Sequence, residues 1–171
     1  WQVERFLISQ ALMMSMAGVP ALYYNSVLAA PNDLEGMAET GRNRTINRRK
    51  WSAQALEAHL ASPQGAPSRV LQGLREMMRV RQGLQAFHPE APQSCLQLDP
   101  RLFVLRRGDA SQGPLLCLFN LSAETVSVDK RSLDLSPGDQ VEAHFAQGSI
   151  TDEGDTLQCS PYAVGWLQKT L

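Results

Sequence analysis

The chain has 171 residues, of which 43% are hydrophobic and 19% are charged, and its formal net charge is −1. This composition excludes intrinsic disorder, and a compact chain of this length buries roughly 70% of its unfolded surface, enough for a hydrophobic core. The near-zero net charge excludes a general electrostatic attraction to nucleic acid or to anionic lipid.

The first 30 residues predict a helix followed by a strand. Residues 6–30 carry no charge, as in a membrane span, but polar residues interrupt the apolar face, and Gly18 and Pro20 indicate that the helix ends there. We predict a buried helix over Val3–Ala17, a fully buried strand over Val19–Tyr24, and no membrane span. A helix joined closely to a strand that is apolar on both faces is typical of a parallel α/β sheet.

A long polar segment, residues 25–66, follows the predicted strand. We expect only short helices in it, around Leu34–Glu39 and Ala53–Ala61. Segments of this length in compact domains are often functional, and α/β proteins bind ligands just beyond the carboxyl ends of their strands. Five basic residues fall within nine positions of this segment: Arg42, Arg44, Arg48, Arg49 and Lys50. Such a run is consistent with binding of nucleic acid, binding of a small anion, or a solvated surface.

The rest of the chain predicts one helix and then a β domain. Ser68 is the expected N-cap of an amphipathic helix over Arg69–Phe87. Beyond a boundary at Pro89–Ser94 the hydrophobic period changes to two, and short segments separated by turn residues predict an antiparallel sandwich. These segments are RLFVLRR, PLLCLFNLS, TVSV, VEAHF, TLQC and YAVGWL. We therefore predict an α/β domain over residues 1–90 and an all-β domain over residues 91–171.

The cysteines and histidines show no pattern of metal ligands. Cys95, Cys117 and Cys159 are widely spaced and form no CxxC pair, which argues against both a zinc site and a disulfide framework. The three histidines are scattered, and we expect them to be exposed or hydrogen-bonded. We predict buried thiols in a cytoplasmic protein, with no metal and no cofactor.

The order of these elements resembles the C-terminal third of the α-amylase superfamily, glycoside hydrolase family thirteen. The resemblance implies that residues 1–90 are the last helix–strand–helix portion of a (β/α)8 TIM barrel, with GVPALYY as its eighth strand. Residues 91–171 would then be the antiparallel β-sandwich C domain of that family. The motif NDLEGMAETGRNRTINRRKW narrows the resemblance to the sucrose phosphorylase-like branch, which includes glucosylglycerate phosphorylases.

The resemblance implies retaining transfer of a glucosyl group by an Asp nucleophile, a Glu acid/base and a second Asp. In the family these carboxylates lie on earlier strands, so we expect them upstream of Trp1 and assign no catalytic residue in this chain. Asp33, Glu35 and Glu39 are expected to be solvated or paired with arginine. We further expect the chain by itself to be inactive, and to self-associate or be partly disordered before Pro89.

The same resemblance assigns different roles to the arginines of the loop. In the family, the arginine that contacts phosphate or acceptor directly precedes xINR, and that position here is Arg44. A guanidinium group binds phosphate or carboxylate oxygens through directed, charge-assisted hydrogen bonds. We predict that Arg44, with Arg42 as a second candidate, binds inorganic phosphate or an acidic acceptor such as glycerate.

The neighbouring residues have supporting roles in this interpretation. Asn47 and Arg48 are expected to hold the loop together through hydrogen bonds to the backbone and to carboxylates such as Asp33. Arg49 and Lys50 are expected to be solvated.

Three alternatives stay open. In the first alternative, the parent enzyme is a hydrolase or a transglucosidase of the same fold. The second is a nucleic-acid-binding module, against which stand the confinement of the basic run to one loop and the acidic C-terminal part, with eight carboxylates and three basic residues from Leu121 onward. The third is a carbohydrate-binding β domain, whose single tryptophan, Trp166, falls within an apolar segment that offers no exposed platform.

Overall fold

The computed structural model describes residues 2–109 and 113–170. Trp1 lies outside the described residues. The chain divides into two compact units. The first, here called the β unit, combines residues 1–20 with residues 76–171, and the second, the loop unit, is residues 21–75. The domains predicted at 1–90 and 91–171 are defined by family architecture, and that division stays a prediction.

Helix α1 (Gln2–Ser15) confirms the first predicted helix, although it ends two residues earlier than expected. Gly18 has a φ of 98°, which suits the left-handed backbone predicted after the helix. The buried apolar residues recur at helical spacing: Val3, Leu7, Ile8, Ala11 and Met14.

The strand predicted over Val19–Tyr24 is wrong. Residues 18–23 are irregular, the exposed fraction of Val19 is 82%, and a short helix, α2 (Tyr24–Val27), begins where the strand was expected to end. A strand needs a neighbour that exchanges backbone hydrogen bonds with it. The strands that the structure describes pair only with one another, in two antiparallel sheets of the β unit. The apolar segment therefore has no sheet to join.

The loop unit contains the two short helices that the sequence predicts, α3 (Leu34–Thr40) and α4 (Ala53–Leu60). A 3-10 helix (Asn43–Asn47) between them was not predicted. Helix α5 (Ala66–Gly83) begins two residues before Ser68, so the prediction of Ser68 as its N-cap is wrong. The Ser68 hydroxyl instead donates a hydrogen bond to the carbonyl of Leu60, at 2.8 Å.

The β unit contains an antiparallel sandwich, as predicted. One sheet has the strand order β1-β2-β3-β8-β5 and the other the order β4-β7-β6. Every predicted segment forms a strand, and two short strands, β1 and β6, were missed. The strands are β1 (Gln93–Leu96), β2 (Leu102–Arg107), β3 (Leu115–Asn120), β4 (Val126–Asp129), β5 (Val141–Gln147), β6 (Ile150–Asp152), β7 (Thr156–Cys159) and β8 (Val164–Lys169).

The sandwich core is built from side chains at alternate strand positions. Val104 and Leu118 of the larger sheet and Val128 and Leu157 of the smaller sheet belong to one buried cluster. Alternation places these side chains on the inner faces; β4 leaves Ser127 and Asp129 exposed, whereas β3 is buried on both faces. Burial in this core raises the pKa of the Cys159 thiol to about 12.

Trp166 of β8 joins helix α1 to the sandwich. Its ring is fully buried and packs against Phe87 and Phe145, with ring centroids 4.7 and 5.0 Å away. Its indole Nε1 donates a hydrogen bond of 2.7 Å to the hydroxyl of Ser15. The tryptophan is thus a core residue, and it offers no exposed platform to a carbohydrate.

Two cations are buried in the β unit and were not anticipated from the sequence. The Arg107 guanidinium donates to Gln93 Oε1 at 3.2 Å and to the His88 carbonyl at 3.0 Å. Lys130 Nζ donates to the Asp139 carbonyl at 2.7 Å and pairs with the Asp152 carboxylate at 2.7 Å. Burial lowers the pKa of Arg107.

The prediction of buried thiols is confirmed for two of the three cysteines. Cys117 and Cys159 are buried as expected, but Cys95 is exposed because β1 is an edge strand. His59 and His144 are hydrogen-bonded, to the Leu28 carbonyl at 2.9 Å and to Gln168 Oε1 at 3.0 Å. No helix in residues 2–109 and 113–170 has the length and apolar character that crossing a membrane requires.

A candidate anion-binding site in the loop unit

The entry to the arginine-rich segment is fixed by Asp33. Its carboxylate accepts a hydrogen bond from the Gly36 N–H at 3.1 Å and caps helix α3. Its own backbone N–H donates to the Ile46 carbonyl at 2.6 Å. A Cβ atom at Gly36 would lie 2.5 Å from Asp33 Oδ2. Asp33 therefore caps the helix, and Gly36, which has no Cβ, leaves room for the Asp33 carboxylate.

The chain reverses directly after α3. Gly41 has a left-handed φ of 62°, and its N–H donates to the Met37 carbonyl at 3.0 Å, which is the usual way for a helix to end. Thr40 Oγ1 donates to the Gly36 carbonyl at 2.7 Å and lies 3.0 Å from Thr45 Oγ1. The 3-10 helix thus starts immediately beyond α3 and folds back along it.

The predicted anion-binding residues lie on this 3-10 helix and next to it: Arg44 is its second residue and Arg42 precedes it. Arg48, predicted to support the loop, follows it. Two depressions open here, and both are lined by Arg44, Arg48 and Asn43. Tyr23, Ile46 and Asn47 complete the lining of one. Gly41, Arg42 and Thr45 complete the lining of the other.

The guanidinium groups around these depressions are free of protein partners. Arg42, Arg44 and Arg48 are exposed, and within the described part of the chain none of their side chains has a hydrogen bond or an ion pair. Each guanidinium carries five N–H donors in a planar fork that matches phosphate or carboxylate oxygens. Three such groups on one turn and its flanks make a local positive surface with unused donors.

The structure brings Arg42, Arg44, Asn47 and Arg48 together, but their predicted roles stay predictions. Asn47 contributes its carbonyl to a hydrogen bond with the Asn25 side chain. Among the residues with described positions, no ion pair joins Arg48 to Asp33, whose carboxylate is used by the helix cap.

The two last basic residues differ from each other. Lys50 is exposed, as expected. The prediction that Arg49 is solvated is only partly correct, because the residue is partly buried. Its guanidinium lies 4.9 Å from the centre of the Trp51 ring, within the range of a cation–π contact.

Asn25 is the residue of this region that the sequence interpretation undervalued. The exposed fraction of its side chain is only 4%, and its hydrogen-bond partners lie 22 to 26 positions further along the chain. No local pattern could identify them, since the contacts exist only after the loop has closed.

Comparison with known proteins supports the predicted resemblance. No protein-family model matches the sequence. The chain is 38% identical over 122 residues to a glucosylglycerate phosphorylase of Spirochaeta thermophila, covering 71% of this chain and 21% of that protein. It is 29% identical over 167 residues to a glucosylglycerate phosphorylase of Allomeiothermus silvanus, covering 97% and 27%. A sucrose phosphorylase of Bifidobacterium adolescentis is 30% identical over 84 residues, covering 49% of this chain and 16% of the relative.

The fold is shared with parts of larger solved enzymes. An alpha-amylase from Geobacillus thermoleovorans in complex with acarbose superposes with a TM-score of 0.71 at 17% identity, covering 99% of this chain and 34% of that one. A mutant isomaltulose synthase from Erwinia rhapontici in complex with D-glucose superposes with a TM-score of 0.69 at 13% identity, covering 100% and 39%. The chain thus spans about a quarter of the length of its glucosylglycerate phosphorylase relatives and about a third of these structures.

Proposed function

We propose a function from the premise that the chain belongs to the sucrose phosphorylase-like branch of the α-amylase superfamily. The chain would be the C-terminal part of a retaining α-glucosyl-transferring phosphorylase, comprising the end of the barrel and the C domain. The parent enzyme would transfer a glucosyl group to inorganic phosphate and release glucose 1-phosphate. The nucleophile and the acid/base would come from sequence upstream of Trp1, so the chain alone would be inactive.

The observation that carries the proposal is the set of guanidinium groups of Arg42, Arg44 and Arg48, which have no partner in the part of the chain that the structure describes. A retaining enzyme forms a glucosyl ester with its nucleophile, and a phosphorylase must present phosphate to that ester in place of water. Arginine donors that are not already bonded to protein groups are available to bind and orient the phosphate oxygens. The described exposed surface of the 3-10 helix supplies such donors.

The same arginines favour an acidic acceptor in the reverse reaction. The curated relatives include phosphorylases named for glucosylglycerate, for sucrose and for glucosylglycerol. Of the corresponding acceptors, glycerate carries a carboxylate and glycerol carries none. Arg42 lines only one of the two depressions, and we assign to it the contact with the acceptor carboxylate.

Substitution of Arg44 in the parent enzyme tests the phosphate role. A hydrogen bond to a charged group contributes about 1.5–3 kcal/mol, so Arg44→Ala should raise the apparent KM for phosphate by about tenfold or more. Arg44→Lys should lose less, since the charge stays and only the forked geometry is lost. The assay follows glucose 1-phosphate release against phosphate concentration, and glucose release without phosphate serves as the internal reference.

Lys50→Ala is the matched control, because Lys50 is an exposed cation on the same segment that lines neither depression. Equal loss of the phosphate-dependent and phosphate-independent reactions in Arg44→Ala would indicate a collapsed loop. A wild-type parent whose product does not change with phosphate would be a hydrolase or transglucosidase, and the proposal would fail.

The acceptor is tested in the reverse direction, with glucose 1-phosphate as donor. The wild-type parent should prefer glycerate to glycerol, and Arg42→Ala should reduce that preference by about tenfold, the cost of one charge-assisted hydrogen bond. An unchanged glycerate-to-glycerol ratio would remove Arg42 from the acceptor site and leave the phosphate proposal intact.

A further inference from the structure

We propose that Asn25 is a positioning residue for the anion site: its buried carboxamide holds the end of the 3-10 helix that carries Arg44. This inference rests on the proposed function, because it concerns how the same arginines are presented to phosphate. It assigns no contact between Asn25 and substrate.

The carboxamide of Asn25 uses both of its polar atoms on one stretch of backbone and side chain. Its Nδ2 donates to the Asn47 carbonyl at 3.3 Å and to the Arg49 carbonyl at 3.1 Å. Its Oδ1 accepts from Trp51 Nε1 at 3.0 Å. Three hydrogen bonds therefore converge on a single side chain of α2, and they span the whole of residues 47–51.

Aromatic side chains lie beside this contact. Tyr24 Oη donates to the Arg49 carbonyl at 3.3 Å. The Trp51 ring stacks on His59 with centroids 4.6 Å apart, and the Arg49 guanidinium lies 4.9 Å from the Trp51 ring on the same stretch. Of the four hydrogen bonds that join α2 to residues 47–51 in the described part of the chain, Asn25 makes three and Tyr24 makes the fourth.

The hydrogen bonds of Asn25 lie next to the arginines of the anion site. Asn47 is the last residue of the 3-10 helix and Arg48 follows it, so Arg48 lies between the two carbonyl groups that Asn25 binds. The preceding residue of the helix, Ile46, is held by the Asp33 N–H at 2.6 Å. The contact between Thr40 and Thr45 and the bond from Tyr24 to the Arg49 carbonyl also hold this segment, and the bonds of Asn25 add its attachment to α2 at residue 47.

Preorganisation explains why a polar residue is useful at this buried position. Arg44 and Arg48 have flexible side chains that must be ordered when an anion binds, and a mobile backbone would add to that entropic cost. Small displacements of a positioning group weaken binding and reaction substantially. An apolar residue of the same volume would fill the space but would not hold the two carbonyl groups.

The test uses the full-length parent enzyme with Asn25→Leu, which keeps the volume and removes all three hydrogen bonds. The apparent KM for phosphate should rise about tenfold, while the phosphate-independent release of glucose changes less than about twofold. Trp51→Phe removes one bond of the three and should give a smaller rise. Gln54→Ala, an exposed carboxamide on α4 with no hydrogen bond among the described residues, should leave both reactions unchanged.

Hydrogen exchange of the parent separates this inference from the proposed function. In Asn25→Leu, the amides of residues 43–51 should exchange faster than in wild type, and peptides from the β-sandwich should not change. The positioning role would be overturned if residues 43–51 of Asn25→Leu exchanged at the wild-type rate, or if the apparent KM of that variant for phosphate were unchanged. Joint loss of both reactions with general loss of protection would also overturn it, as a folding defect.

If the wild-type parent ignores phosphate, the proposed function fails and the phosphate-positioning role fails with it. The exchange experiment then still reports whether Asn25 holds the 3-10 helix, so the two failures are distinguishable.

Discussion

The two units of the chain treat cationic side chains in opposite ways. In the β unit, Arg107 and Lys130 are buried and bonded to carbonyl, amide and carboxylate oxygens. In the loop unit, Arg42 and Arg44 are exposed and have no side-chain partner among the described residues. Burial of an unpaired charge is costly, so interior cations must be bonded, whereas exposed cations keep their donors free for a ligand. Substitution of the buried cations of the β unit should therefore change stability, and substitution of the exposed cations of the loop unit should change anion binding.

The largest stability effect is expected at Trp166. Trp166→Ala removes a fully buried ring and should lower the free energy of unfolding by about 3–5 kcal/mol, measured by urea denaturation. Trp166→Phe keeps most of the packing and loses the bond to Ser15, which should cost about 1–3 kcal/mol. Leu121→Ala, at an exposed position, is the control and should stay within about 0.5 kcal/mol. A small loss in Trp166→Ala would contradict a core shared by α1 and the sandwich.

The second effect concerns the buried lysine. Lys130→Met leaves the Asp139 carbonyl and the Asp152 carboxylate without their cation, and should lower the free energy of unfolding by about 2 kcal/mol. Lys169→Met is the matched control, because Lys169 pairs with Asp139 at 2.8 Å but is half-exposed, and exposed pairs contribute below about 1 kcal/mol. If Lys130→Met and Lys169→Met lowered the free energy of unfolding equally, burial of the Lys130 cation would not be the cause of its effect on stability.

The third effect is in the loop unit and tests the joint role of Asp33 and Gly36. Gly36→Ala places a Cβ against the Asp33 carboxylate and should cost about 1 kcal/mol by displacing the helix cap. In an Asp33→Ala background the same substitution should cost little, because the cap is already absent. A double-mutant cycle on the free energy of unfolding measures this coupling, and additive losses would argue against a shared contact.

The smallest effect is a pH dependence at Asp99 on the surface of the β unit, where the side chain is partly buried. Hydrogen bonds from the Arg101 side chain, and then from its backbone, lower the pKa of Asp99 to about 2. Since the folded-state pKa is below the unfolded value of about 4, the stabilisation is present above about pH 4 and is lost as the pH falls towards 2. Urea midpoints of wild type and Asp99→Asn should therefore differ slightly at pH 6 and converge near pH 2. A difference that grows on acidification would have the wrong sign.

Elements that depend on local pattern were predictable. The spacing of Val3, Leu7 and Met14 indicates helix α1, and the period of two after residue 90 indicates the sandwich strands. The short strands β1 and β6 were missed because most of their residues are exposed, so their sequences lack the alternating buried apolar positions that indicate β4 and β7, which are no longer than β1. The arginine-rich segment was recognised from its composition, but composition could not show which of its five cations are free.

The sequence by itself determined helices α1, α3, α4 and α5, most of the strands and the resemblance that points to Arg44, because these depend on residues close together in the chain. Tertiary structure alone decided that Val19–Tyr24 forms no strand, since pairing requires a neighbour elsewhere. It also decided that Arg49 packs on Trp51, that Arg42 and Arg44 have no side-chain partner within residues 2–109 and 113–170, and that Asn25 is hydrogen-bonded to residues 47–51. Those outcomes depend on which groups meet after the chain folds, and a donor is available to a ligand only if nothing else has bonded to it first.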